Sequence, residues 1–180
     1  MEHLGLSRGD KNGMWMLNYP FPYEKPEVTQ AFASLRDLLL RALNENNESR
    51  FAELMKAYVR ERRGFLGLLS ADDQKYFNFQ LWQEGIARYT QIKCAEAAAK
   101  YRPSAEFAAL ADYEPFGAYA ARARSDTLRE LKAIELAKSK RSAIYPFGGA
   151  EGLLLDRANP AWKSEYFEHL LSTESLFTLP

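Results

Sequence analysis

The sequence predicts an all-α protein, a single-domain irregular helical bundle around one long central helix. Three observations carry that expectation. Apolar residues recur at three- and four-residue steps over most of the chain, and extended character is confined to short pieces near Trp15 and Ile144. A proline-free run from Ser70 to Tyr101, with its one glycine at Gly85, is long enough to cross a whole domain as a helix. The 180 residues, 47% hydrophobic and 13% aromatic, supply apolar surface for one substantial core. Residues 1–180 are therefore expected to form one domain, with residues 1–25 as an extended N-terminal arm. The opening Leu4–Gly13 reads as the tail of an element followed by a turn, which fits the C-terminal part of a longer protein.

Taken in order, residues 14–26 combine Pro20, Pro22 and Pro26 with Trp15, Tyr19, Phe21 and Tyr23, the composition of an arm packed across helices. Pro26 suits the first turn of an amphipathic helix running to Asn44, with Val28, Phe32, Leu35 and Leu39 on one face. A second helix, Glu48 to Arg63, turns Phe51, Leu54, Met55, Tyr58 and Val59 inward. Its charge run Arg60-Glu61-Arg62-Arg63 reads as a solvated face, and Gly64 and Gly67 as a break.

Ser70, followed by Asp72 and Asp73, has the chemistry of an N-cap for the central helix. Phe79, Trp82, Ile86 and Tyr89 form one stripe of that helix, with Trp82 expected to anchor the core and Cys94 to be a small core residue. Gln80, Glu84, Arg88 and Gln91 form its polar strip. Ser104 caps a short helix to about Leu110, and a long helix is expected from Phe116 to Lys140. Gly148-Gly149 reads as a tight turn between two helices, with Tyr145 and Glu151 at element boundaries facing Glu84. A last helix, Ala161 to Leu171, carries Trp162, Tyr166, Phe167 and His169.

Composition excludes several functions. Lys+Arg and Asp+Glu both total 24 and no basic block emerges, so a nucleic-acid partner is not expected. No apolar stretch has the roughly 18 residues of a membrane span, and the polar start Met1-Glu2-His3 is not a signal peptide, which favours a soluble, cytoplasmic protein. One cysteine allows no internal disulfide. There is no Gly-x-Ser-x-Gly, no phosphate-binding glycine loop and no Cys or His cluster, so no catalytic residue is assigned.

The stretch Glu84-Gly85-x-Ala87-x-Tyr89, with Trp82 just before it, resembles the third-ligand segment of gluzincin zinc metallopeptidases. The resemblance implies that Glu84 is a metal ligand. It also implies that Gly85 lies against a crossing helix, which in the family bears a His-Glu-x-x-His motif and whose place here the arm at residues 14–26 or the Gly148-Gly149 turn could take. No such motif occurs in this chain, whose histidines are His3 and His169, so no cofactor is expected unless the missing histidine ligands of a zinc site are supplied elsewhere. The expected function is thus a degenerate or truncated gluzincin-like domain without activity of its own. A different reading is a helical module that binds a peptide or small polar ligand in a pocket formed by Gln80, Glu84, Arg88, Tyr89, Arg141, Tyr145 and Glu151. Oligomeric state is not legible in the sequence.

Overall fold

The computed structural model describes residues 5–6 and 12–177, so His3 and most of the Leu4–Gly13 opening lie outside the described residues. The fold is all-α, and no strand occurs among the described residues. A short helix α1 (Trp15–Asn18) lies in the arm and is followed by α2 (Pro26–Asn44) and α3 (Glu48–Gly67). The central run comprises α4 (Ala71–Gln80), a π-helical turn (Leu81–Gly85) and α5 (Ile86–Ala98). After it come α6 (Ala105–Ala108), α7 (Phe116–Ala133), α8 (Leu136–Ser139), α9 (Ile144–Ala158) and α10 (Trp162–Tyr166). No helix among the described residues is long and apolar enough to cross a membrane.

The expected caps are present. Pro26 opens α2, where its missing N–H costs no helix bond, and the Ser70 and Ser104 hydroxyls accept the Asp73 and Phe107 amides, each satisfying an amide that helix geometry leaves without an internal partner. Several boundaries differ from expectation. Helix α3 continues through Gly64 to Gly67, because neither glycine is needed for a turn and both face open space. The expected helix from Phe116 to Lys140 stops at Ala133, where Ile134 and Glu135 go extended. The last helix is a single turn, Trp162–Tyr166.

Phe32 (α2), Phe65 (α3), Phe77 (α4) and Phe147 (α9) meet in one aromatic core, with centroid separations of 4.9 to 6.3 Å. Burying rings of this size is the dominant source of stability in a helical body. The arm covers α4: Trp15 stacks on Phe79 at 5.4 Å, Tyr19 on Tyr76 at 4.3 Å and Phe21 on Phe77 at 5.9 Å. The most enclosed helix is α9, buried almost continuously from Pro146 to Leu155. Gly148-Gly149 is thus helix interior and not a tight turn. Its glycines serve close approach.

The central run crosses α9 at the junction of the π turn and α5, where Gly85 meets Gly148. A Cβ placed on Gly85 would lie 2.7 Å from the Gly148 Cα, and one placed on Gly148 would lie 2.5 Å from the Gly85 Cα. Both contacts are with backbone, which cannot rotate away. One turn on, a Cβ at Gly152 would sit 2.6 Å from the Tyr89 ring. Glycine at these positions carries a propensity cost of about 0.8–1 kcal/mol, which the close packing of the two backbones offsets. The π turn falls at the same crossing, where the Ile86 amide bonds back to the Leu81 carbonyl five residues earlier.

Candidate functional site

The π turn gives Glu84 its setting. Widening the helix by one residue places Leu81 and Gly85 against α9 and leaves Trp82 and Glu84 only partly covered. Trp82 is therefore not the core anchor that the stripe of apolar residues implies. It stacks on Tyr166 at 5.2 Å and caps the C-terminal turn, while the Tyr166 hydroxyl donates to the Trp82 carbonyl at 2.7 Å. Burial there pushes the Tyr166 hydroxyl up to about 12. Leu81, its neighbour, is the buried residue.

The Glu84 side chain is 27% exposed and pairs with Arg141, itself 30% exposed, at 3.5 Å. Arg141 also donates to the Tyr145 hydroxyl at 3.2 Å. Close by, the Tyr76 hydroxyl donates to the Met16 carbonyl at 2.9 Å and lies 3.3 Å from the Tyr23 hydroxyl. Burial raises both phenols above the ordinary tyrosine value, Tyr23 the more strongly because the Tyr76 hydroxyl reinforces the effect there. They are neutral hydrogen-bonding groups at physiological pH.

The remaining residues expected to share this pocket are divided among separate sites. Arg88 pairs with Glu130 at 3.3 Å instead of with Glu84. Tyr89 donates to Asp156 at 2.7 Å, a carboxylate that also accepts from Lys163 and from the Trp162 indole. Burial opposes ionisation of Asp156, and these three donors outweigh it, holding the carboxyl below its usual range. Gln80 is buried, and its Oε1 has no hydrogen-bond partner among the described residues. Glu151 sits mid-helix in α9, not at an element boundary, and faces α3. Cys94, expected in the core, is exposed.

Glu151 belongs to a buried polar network that the sequence reading missed. Its Oε1 accepts from the Tyr58 hydroxyl at 2.6 Å and from Arg62 Nε at 2.8 Å. Arg62 donates onward to Asn78 at 3.3 Å and Thr173 at 3.1 Å and lies over the Phe177 ring at 4.6 Å. Arg62 and Glu151 side chains are both only 2% exposed. Burial alone would lower the Arg62 pKa, but the charge and hydrogen bond of Glu151 together with Tyr58 and Glu174 outweigh it and raise it, and burial also drives Tyr58 upward. A signal for Arg62 was available. It stands four residues after Tyr58 and three before Phe65, on the apolar face of α3, so it had to be inside and paired.

A catalytic zinc needs three protein ligands and an open position. No group of three His, Cys, Asp or Glu side chains able to hold an ion occurs among the described residues, and the cation nearest Glu84 is Arg141. His169 is exposed in the C-terminal turns. The described residues by themselves do not fit zinc. No family model matches the chain, and no curated protein or solved structure is significantly similar to it.

Proposed function

We propose that this chain is the helical, glutamate-bearing part of a gluzincin-like metallopeptidase architecture and that on its own it hydrolyses no peptides. The observation that carries the reading is the crossing at Gly85. The resemblance implies a helix pressed against the glycine that follows the ligand glutamate, and α9 lies there with its own glycine in contact. The π turn that holds Glu84 is a feature enriched at functional sites. With one carboxylate offered and no histidine pair beside it among the described residues, these residues do not supply the donors that make a water nucleophilic on zinc.

Calorimetric titration of the purified chain with zinc tests this. The expected result is no tight stoichiometric binding. One zinc per chain, bound tightly and lost in Glu84→Ala, would overturn the inactive reading.

A second reading, a non-catalytic ligand-binding module, is favoured by a different observation. Arg141 opens onto a cleft of about 440 Å³ between the arm and the α8–α9 corner. A metabolite panel read by thermal shift tests it, and a uniformly flat response would count against it.

A further inference from the structure

We propose that the cleft between the N-terminal arm and the Lys140–Arg141 corner binds the carboxylate of a small organic acid that carries an aromatic or aliphatic body. The inference rests on the ligand-binding reading and is independent of the zinc reading. The cleft's volume of about 440 Å³ falls in the range of small-molecule sites. Phe21 and Tyr23 of the arm give it an apolar wall, and its charged lining is Lys25, Lys140 and Arg141 against a single acid, Glu24.

Each cation in this lining has a carboxylate partner, and each of those pairs is either open to solvent or long. Lys25 pairs with Glu27 at 2.8 Å, both side chains about half exposed. Lys140 pairs with Glu24 at 3.1 Å, with both side chains more than half exposed, so the pair is easily exchanged for a ligand. Arg141 reaches Glu84 at 3.5 Å, the outer limit of a hydrogen bond, and donates to the Tyr145 hydroxyl at 3.2 Å from the same nitrogen, so its planar fork of five donors keeps capacity for a carboxylate. Tyr23 and Tyr76 present neutral hydroxyls nearby, so this wall adds no negative charge.

Backbone strain points to the same corner. Lys140 has φ 48° and ψ −130°, a conformation that glycine adopts freely and other L residues avoid. A lysine held there sets two cations side by side on the cleft rim. Strained conformations of this kind persist where the surrounding structure enforces them, and they cluster at ligand sites.

The probes are N-acetyl-L-phenylalanine and its uncharged amide, titrated into the full chain and followed by heteronuclear NMR. The acid is expected to bind saturably with Kd of about 1 mM, a normal affinity for a ligand of that size, and the amide much more weakly. Arg141→Gln is expected to weaken the acid by about tenfold, the worth of a charge-assisted carboxylate contact. Lys140→Gly separates a binding role from a structural one, because it should raise the melting temperature by relieving strain and still weaken the acid several-fold. A peptide ending in a free phenylalanine carboxylate, compared with its C-terminal amide, distinguishes the two sources of such a group. If the peptide binds at least as tightly as the free acid, the natural ligand is a chain terminus; if only the free acid binds, it is a metabolite. Equal binding of acid and amide, or undiminished acid binding in both variants, would overturn the assignment. So would the absence of saturable acid binding, even if other compounds raise the melting temperature.

Discussion

Two arginine–glutamate pairs in this protein are built from the same groups and treated in opposite ways. Arg62 and Glu151 are sealed between α3 and α9, 2.8 Å apart; Tyr58 donates to the same Glu151 oxygen, Asn78 and Thr173 accept from Arg62, and Glu151 Oε2 is buried without a hydrogen-bond partner among the described residues. Arg141 and Glu84 stand at 3.5 Å, each more than a quarter exposed. In the first pair, removing either partner strands a charge away from water. In the second, water replaces whatever is lost. The enclosed pair is therefore architecture, and the open pair is the one with capacity left for a ligand.

Arg62→Met should break this comparison most severely if it is wrong. Stranding Glu151 is expected to cost about 3–5 kcal/mol in urea unfolding, and Arg62→Met combined with Glu151→Leu should recover much of that loss. A single-variant loss below about 1 kcal/mol would mean that the buried network is not a unit. Glu84→Gln sharpens the other side. It keeps the shape and removes the charge from a partly solvated pair, so the same assay should register less than about 1 kcal/mol.

The fold class was legible because periodicity reports burial, and the caps at Ser70 and Ser104 were legible because their hydroxyls satisfy helix amides locally. Gly85 was legible as a point of close approach. Gly148-Gly149 was one of the two candidates for what it approaches, but these glycines have the composition of a turn, and only the tertiary crossing shows that they lie inside α9. Trp82 was misplaced because the π turn adds a residue to one helical turn, and a regular period cannot register that shift. Cys94 was misplaced by its apolar neighbours, since a surface groove and a core look alike in sequence. The residues grouped into one candidate pocket are split by the fold. Glu84, Arg141 and Tyr145 do come together, while Arg88, Tyr89 and Glu151 each find a carboxylate or cation elsewhere. Pairing choices of that kind depend on three-dimensional proximity, which spacing along a helix does not encode.

A backbone-to-backbone crossing at Gly85 and Gly148 holds Glu84 in place, and thermal melting of Gly85→Ala tests that contact most directly. A methyl group 2.7 Å from the Gly148 Cα must force the helices apart. The expected loss is about 1–3 kcal/mol despite alanine's better helix propensity, which for a protein of this size lowers the melting temperature by roughly 2–12 °C. A raised melting temperature would show that the two backbones are not in contact and would remove the support this crossing gives to the gluzincin-like reading.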